Sequence, residues 1–262
     1  MNARRLGVVV AVLLALAVLT VFILDRTIWA PVDVGTGAPA APTLAAPPAD
    51  AAAATGDAAA AQPTAAAAAS GQGAASSGAA AGDGARLYRI DPARSEARYE
   101  VGETFFDGNR FVVAVGRTKG VAGEIRVDTA NPAASQLGEI VVDISQLTSD
   151  KQRRDNFIRR NNLMSSQFPN ARFVTRSIDG FPAAPAMDTP LTFKISGDLT
   201  VKDVTKPVTW DVTSTLTADA LTGSATTKVK MSDYGIGPIE IPMLATEDDV
   251  LLGLDFVAVP GE

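Results

Sequence analysis

The stretch Leu191–Leu216, LTFKISGDLTVKDVTKPVTWDVTSTL, contains two runs in which apolar and polar side chains alternate at almost every position. An extended chain directs successive side chains to opposite faces, so each run predicts a strand with one apolar face. Val, Ile, Thr and Phe recur in both runs, and these residues favour strands. The same alternation is found in VAGEIRVD, Val121–Asp128, and in GEIVVDIS, Gly138–Ser145, whereas VLLGLDFVAV, Val250–Val259, is apolar on both faces.

Turn signals separate these runs. Asp-Gly dipeptides occur at 107–108 and 179–180, and Asn-Pro occurs at 131–132. Antiparallel strands that each present one apolar face bury those faces by closing into a barrel or a sandwich. The sequence therefore predicts an all-β domain of antiparallel strands.

One charged segment interrupts the strands: TSDKQRRDNFIRRNNLMSSQFPNARF, Thr148–Phe173. Ser149 followed by Gln152 has the form of a capping box, with Ser149 as the N-cap. Three further signals favour a short helix near residues 150–160: the i,i+4 ion pairs Asp150–Arg154 and Asp155–Arg159, and a left-handed stop at Asn161 or Asn162. We expect this helix to close one end of the barrel.

The composition excludes several kinds of chemistry. The 262 residues include no cysteine and no histidine, which removes disulfides, thiolate nucleophiles, the Ser-His-Asp triad and the usual zinc ligands. The net charge of −6 argues against a nucleic-acid partner, which would require a basic face. Four carboxylates fall late in the chain: Asp233, Asp248, Asp249 and Asp255. They lack the spacing of a calcium loop, and two lie in a polar turn, so we expect no catalytic residue, no metal site and no enzymatic activity.

The N-terminal residues 1–28 predict a membrane anchor. Leu6–Leu24 is an uncharged apolar run of about the 20 residues that span a bilayer core. Arg4 and Arg5 precede it, so the positive-inside rule places the N-terminus in the cytoplasm and the rest of the chain outside. The run is long for a signal-peptide core, and no small-x-small cleavage site follows it. These features favour a retained, single-pass signal-anchor in the cell membrane, with a cleaved signal peptide as the alternative.

Residues 29–85 have the composition of a disordered linker. Ala, Gly, Pro, Thr and Ser dominate, and almost no large apolar side chain is present to offset the entropy of ordering. Residues 86–262 are then enough for one folded domain of ordinary size.

The order of landmarks in this domain resembles the YceI-like family. The landmarks run from YRIDPARSEARYEV through VAGEIRVD, RRDNFIRRNNL and FPNARF to ISGDLTVKDVTKPVTWDV, MSDYGI and DDVLLGLDF. The resemblance covers nearly all of Leu87–Val259, and GDLTVKDVTKPV is its most specific part. It implies an extracytoplasmic, lipocalin-like antiparallel β-barrel of about eight strands, which holds a long isoprenoid chain in an apolar tunnel and makes or breaks no bond.

Carried over position by position, the resemblance marks nine structural residues: Asp91, Ser95, Asp155, Phe168, Pro169, Gly197, Pro207, Asp233 and Gly235. The sequence also departs from the family pattern. The histidines that members commonly carry are absent, and Met231 stands where an arginine precedes Asp-Tyr-Gly. These departures bear on the identity of the ligand more than on the fold.

Ten inward-facing apolar residues are candidates for the lining of the tunnel: Val121, Ile125, Ile140, Val142, Phe173, Phe193, Ile195, Leu199, Trp210 and Val212. The same residues would equally fill a packed barrel, because an eight-stranded barrel is just wide enough for its own side chains or for one small ligand. Gly123, Gly197 and Gly223 either leave room for a ligand or mark bulges that let the barrel curve.

Four arginines of the charged segment are candidates for a rim that binds an anionic head group: Arg153, Arg154, Arg159 and Arg160. Arginine recognises pyrophosphate and similar groups through paired N–H bonds. One alternative is a solvated, salt-bridged helix face. The other, for Arg154 and Asp155, is a buried arrangement that pins the helix to the barrel.

Together these features predict a membrane-tethered, extracytoplasmic protein that binds an apolar or amphiphilic lipid, such as a polyisoprenoid or an isoprenoid quinone, as a non-catalytic carrier without another cofactor. The alternative is a surface-displayed interaction module whose barrel is packed and holds no ligand.

Overall fold

A computed structural model describes residues 39–41, 43–44 and 85–261 of the chain. Residues 85–261 form an all-β domain with one short helix, as the sequence predicts. Within residues 85–261 the sheet contains thirteen strands instead of about eight, because breaks and bulges divide it into short and long pieces. Seven of the strands are nine or more residues long.

The strands, numbered in chain order, are β1 Ala85–Ile90, β2 Glu96–Phe105, β3 Arg110–Thr118, β4 Val121–Ala122, β5 Glu124–Asp128, β6 Gln136–Leu137, β7 Ile140–Asp143, β8 Asn170–Asp179, β9 Pro190–Val201, β10 Val204–Leu216, β11 Leu221–Lys230, β12 Glu240–Ile241 and β13 Leu244–Pro260. The helix α1 spans Gln152–Phe157 and continues into a π-helical turn, Ile158–Asn162. Single 3₁₀ turns occupy Asp107–Asn109, Pro132–Ala134, Ile144–Gln146 and Ser232–Tyr234.

The two alternating runs of Leu191–Leu216 form a long hairpin of β9 and β10. Their pairing extends from Val201 opposite Val204 to Pro190 opposite Thr215. Lys202, in the turn between them, has a left-handed backbone (φ 59°). This hairpin occupies the middle of the sheet, with β8 beside β9 and β11 beside β10.

The longest strand, β13, joins the two halves of the sheet. It pairs with β11 on one side. On its other side it pairs with β2 over its N-terminal part and with β1 near its C-terminal end. Residues of β2, β3, β7, β8, β9, β10, β11 and β13 all face one cavity, so the sheet wraps around it. Between β3 and the segment that leads to α1, the backbone of Arg117 exchanges two hydrogen bonds with Thr148, at 2.8 and 2.9 Å.

The alternation in Val121–Asp128 predicts one continuous strand, but the structure does not form one. The run breaks at Gly123 into β4 and β5. The break places Glu124, which the alternation assigns to the solvent face, in a buried position. Glu124 is paired there, because Arg89 Nε donates to its Oε1 at 2.9 Å.

The predicted capping box is wrong. The helix begins at Gln152, and its N-cap residue, Lys151, makes no side-chain cap bond. Ser149 bonds Asp155 instead: its backbone N–H donates to Oδ2 at 2.9 Å and its hydroxyl donates to Oδ1 at 2.6 Å. The Ser149 hydroxyl thus donates to a carboxylate within the helix, whereas in the predicted capping box it would accept from the backbone N–H of Gln152.

The ion pairs and the helix stop are partly as predicted. Arg154 Nη1 contacts Asp150 Oδ1 at 2.6 Å. The predicted pair of Asp155 with Arg159 does not form, because Ser149 occupies the carboxylate of Asp155. The left-handed residue that follows is Met164 (φ 49°) and not Asn161 or Asn162, because the π-helical turn extends the helix through both asparagines.

Three glycines that the sequence assigns to the interior make room for side chains of the protein itself. A Cβ atom on Gly123 would lie 2.3 Å from Ile140 Cδ1. On Gly197 it would lie 2.6 Å from the Phe173 ring, and on Gly223 2.8 Å from the Phe256 ring. These positions therefore serve close packing of the wall, and the alternative that they leave space for a ligand is wrong.

The predicted anchor, residues 1–28, lies outside the described residues, as does most of the predicted linker. The helices within the described part of the chain are too short or too polar to cross a bilayer. Leu44, within the predicted linker, donates its backbone N–H to Glu124 Oε2 at 2.8 Å.

Candidate functional site

The curved sheet encloses a cavity of about 1650 Å³. Its wall is mainly aliphatic and aromatic, and the residues come from both ends and the middle of the sheet. The interior is thus hollow, and the alternative of a packed barrel is wrong.

The predicted lining residues fall into two groups. Seven face the cavity: Ile140, Val142, Phe173, Ile195, Leu199, Trp210 and Val212. Val121, Ile125 and Phe193 belong to the adjoining core instead. Phe193 packs edge-on against Phe181, with ring centroids 5.2 Å apart. The three exceptions show that an inward direction on a strand does not by itself place a side chain on the cavity.

Sequence reasoning missed most of the wall that β2 and β13 contribute. Tyr99, Val101 and Phe105 of β2 line the cavity, as do Leu252 and Leu254 of β13. The signal in β2 is the alternation of inward residues, but the charged Glu103, near the C-terminal end of the strand, interrupts the apolar series. The signal in β13 is weak because that strand is apolar on both faces.

Two buried polar groups in the wall lack a partner among the described residues. They are the indole N–H of Trp210 and the hydroxyl of Tyr234, and both residues line the cavity. Burial, with a smaller effect of Asp233, raises the pKa of Tyr234 to about 12. Both atoms are almost completely buried within the wall, so each costs free energy where it lies and neither is open to a ligand in the cavity.

A charged pair lies between the cavity and α1. Arg154 Nη2 contacts Glu103 Oε2 at 2.9 Å, and the Glu103 side chain is only 3% exposed. The other arm of Arg154, Nη1, donates to Asp150 and, at 3.2 Å, to the hydroxyl of Ser149. The Arg154–Asp150 hydrogen bond holds the pKa of the Asp150 carboxyl below its usual value. Both arms of the Arg154 guanidinium are therefore paired, which agrees with the alternative that this residue pins the helix to the barrel.

Tyr99 adds a further polar group to this end of the cavity. Burial, followed by the charge of Asp155, raises its pKa to about 12. The phenol therefore stays neutral throughout the physiological range.

The four arginines proposed for the rim do not lie together. Arg153 is exposed and lines the cavity mouth, beside Arg154. Arg159 is buried and donates to the Leu147 carbonyl at 2.8 Å. Arg160 is exposed and lies outside the cavity wall. The structure thus brings two of the four to the cavity.

The first two structural residues implied by the resemblance hold the start of the domain. Asp91 accepts from the backbone of Ala93 and from Arg94 Nε, and the Arg94 bond holds its pKa below the usual value. Ser95 is buried, and its hydroxyl accepts from the Val257 backbone at 3.0 Å. Both residues secure the β1–β2 turn.

The other structural residues lie along the same frame. The Pro169 carbonyl, next to Phe168, accepts from the backbone of Ile144 at 2.8 Å and so closes the loop after α1. Pro207 lies in β10 opposite Asp198. Asp233 is exposed, and Gly235 ends the turn with φ 60°.

The comparisons with known proteins agree with this architecture. Residues 88–258 match the model of the YceI-like domain. The chain belongs to the YceI-like domain family. A UPF0312 protein of Pseudomonas fluorescens is 31% identical over 93 residues, which cover 36% of this chain and 46% of that protein. The chain thus matches less than half the length of this curated relative.

Two solved structures share the fold. BcnA of Burkholderia cenocepacia has a TM-score of 0.52 at 20% identity, covering 65% of this chain and 99% of BcnA. A polyisoprenoid binding domain from Saccharophagus degradans, implicated in plant cell wall breakdown, has a TM-score of 0.50 at 12% identity, covering 66% of this chain and 98% of that domain.

Proposed function

We propose that the protein binds one apolar or amphiphilic lipid of the polyisoprenoid or isoprenoid-quinone class in this cavity. The observation that carries the proposal is the cavity of about 1650 Å³ with a largely apolar wall. Drug-sized ligands occupy pockets of roughly 300–1,000 Å³. The larger volume suits a long chain, and burial of its apolar surface, at about 25 cal/mol per Å² before ordering costs, drives binding.

The ligand class has one further support. The described domain shares its fold with a polyisoprenoid binding domain, although the two are only 12% identical.

The proposed role is carriage or sequestration without catalysis. The chain has no histidine or cysteine to act as a base or nucleophile. Three of its four late carboxylates are paired at the surface: Asp248 accepts from the Ser232 hydroxyl at 2.7 Å, Asp249 pairs with Lys230, and Asp255 pairs with Arg98. The buried carboxylate that lines the cavity, Glu103, is held by Arg154.

We also propose that the domain is tethered outside the cell membrane by the predicted anchor, because Arg4 and Arg5 precede the uncharged run Leu6–Leu24. The test is membrane fractionation of the host, followed by protease treatment of intact spheroplasts. The expected result is release by detergent but not by carbonate, with digestion from outside. A soluble or protease-protected domain would contradict the proposal.

The ligand itself is tested by native mass spectrometry of residues 85–262, purified from the host without detergent, followed by organic extraction. We expect one isoprenoid-sized lipid per chain. A protein that is free of lipid and takes up neither prenyl alcohols nor prenyl quinones would overturn the proposed function.

A further inference from the structure

The cavity mouth carries a cluster of exposed apolar side chains. Six large hydrophobic residues are exposed within the described part of the chain. Four of them, which we call the apolar rim, lie on the β2–β3 and β12–β13 hairpins: Phe106 (57% exposed), Phe111 (55%), Val113 (54%) and Met243 (63%). An exposed apolar cluster of this kind marks a binding surface for a protein or a membrane.

The two hairpins form one surface. The Phe106 backbone N–H donates to the Met243 carbonyl at 3.1 Å. Phe111 pairs with Thr104, and Thr104 pairs with Ala245 on the far side. Because Thr104 alternates with the cavity-lining Phe105, Phe111 lies on the outer face of the sheet, and Phe106 and Met243 lie at the ends of the two hairpins beside it.

The rim is continuous with the cavity. Val113 and Met243 are more than half exposed and also line the cavity wall. Leu244, next to Met243, pairs with Phe105, which is next to Phe106, and both continue the apolar wall inward. A lipid that leaves a bilayer at this rim enters the cavity without crossing water.

The polar groups at the mouth fit a membrane interface. Arg110 stacks on Phe105, with its guanidinium carbon 4.4 Å from the ring centroid. Lys151 and Arg153 are exposed at the mouth, and so are the carboxylates of Asp107 and Asp150. Aromatic and basic side chains are typical of the headgroup region. Because charges of both signs lie at the mouth, we expect burial of the apolar side chains, and not attraction to anionic lipid, to drive binding to the bilayer. Zwitterionic lipid is then sufficient.

We propose that the apolar rim inserts into the surface of a lipid bilayer and that the ligand passes between bilayer and cavity through this contact. This inference rests on the proposed function, since it assigns the direction from which the lipid arrives. The occupant is a bilayer and not a protein, because the rim opens directly into a lipid-sized apolar cavity.

The contact is tested with the full chain in phosphatidylcholine vesicles that contain doxyl-labelled lipid. The chain has no cysteine, so a single cysteine carries an environment-sensitive fluorophore at Met243→Cys or, as a matched control, at Met187→Cys. Met187 is 46% exposed, and its neighbour Asp188 bonds Leu216 at the opposite end of the sheet from Met243. We expect quenching at Met243→Cys alone. Absent quenching, or equal quenching at both positions, overturns the proposal.

The route is tested by the variant Phe106→Ser/Phe111→Ser, since neither residue lines the cavity. Prenyl-quinone transfer from vesicles is expected to slow by at least about tenfold, because the aromatic groups that enter the bilayer are lost. Val174→Ser, an equally exposed apolar position on β8, is expected to transfer at the wild-type rate. Equal transfer by both variants overturns the route.

Uptake of the same quinone from cyclodextrin separates this inference from the proposed function. If the wild type takes up the quinone from cyclodextrin and the double variant still transfers it from vesicles at the wild-type rate, only the role of the apolar rim is refuted. No uptake from either source refutes the proposed function, and the inference falls with it.

Discussion

Tyr234 holds a buried hydroxyl against the cavity without a partner among the described residues, and its side chain is nearly inaccessible. Its location follows from a 3₁₀ turn that ends at Gly235, where φ is 60°. The turn directs the phenol inward and leaves its neighbour, Asp233, outside. At the scale of single residues, the cavity wall is thus mainly apolar, and the unpartnered donors of Trp210 and Tyr234 are buried behind its surface.

The tyrosines predict a dependence of stability on pH. Burial raises the pKa of Tyr99 and of Tyr234 from 10.0 to about 12. Because the folded state favours the protonated phenol, the stabilisation is complete below pH 10 and is lost as pH rises through 12. Tyrosinate absorbance and urea unfolding between pH 9 and about 12 measure this loss.

The control for the pH prediction is the variant Tyr99→Phe/Tyr234→Phe. Its free energy of unfolding is expected to fall less steeply above pH 10 than that of the wild type. Identical slopes in the two proteins would contradict the assignment.

Gly197→Ala is predicted to destabilise the domain by about 1–3 kcal/mol, because the added Cβ would lie 2.3 Å from the Val174 carbonyl and 2.6 Å from the Phe173 ring. Gly261→Ala is the control, since its nearest neighbour, Leu87 Cδ2, would be at 3.4 Å. Urea unfolding of both variants checks the difference. An unchanged Gly197→Ala midpoint would show that the wall has room to relax.

At the scale of elements, α1 is held to the barrel by Arg154. This residue joins Glu103 of β2, 51 positions away in sequence, to Asp150 at the start of the helical segment. Removing one partner of a buried ion pair leaves an uncompensated charge, which costs more than the pair contributes.

Arg154→Met is predicted to lower the free energy of unfolding by about 3–5 kcal/mol, because it leaves Glu103 buried and unpaired. Arg153→Met, the neighbouring and exposed position, is expected to change it by less than about 0.5 kcal/mol. The double variant Glu103→Gln/Arg154→Met is expected to recover a large part of the loss. Chemical denaturation measures all three, and a small effect of Arg154→Met would contradict the pinning role.

The same element shows what the sequence can and cannot predict. The local pair Asp150–Arg154 and the existence of a short helix follow from spacing within one turn. The roles of Ser149 and Arg159 do not, because Ser149 bonds Asp155 and Arg159 bonds the Leu147 carbonyl. These contacts depend on how the loop before the helix folds back, and no periodicity encodes that path.

At the scale of the whole molecule, alternation predicts the all-β fold and most of the lining on β8–β10, because those strands pair regularly along their length. It does not predict that the interior is hollow. Whether a barrel is filled depends on the sum of side-chain volumes from every strand and on what covers its ends. In β2, the charged Glu103 interrupts the apolar pattern, so the sequence does not reveal that this face lines the cavity.

Binding of the lipid inside the cavity can be tested with one matched pair of variants. Ala225 is buried and lines the cavity, whereas Ala218 is exposed in the β10–β11 turn. Each is replaced by Trp, folding is confirmed by thermal unfolding, and the lipid bound per chain is measured by extraction and mass spectrometry. We expect Ala225→Trp to lower the bound lipid by at least about tenfold, because the indole occupies part of the ligand's volume, and Ala218→Trp to retain it. Equal lipid in the two variants would contradict binding inside the cavity.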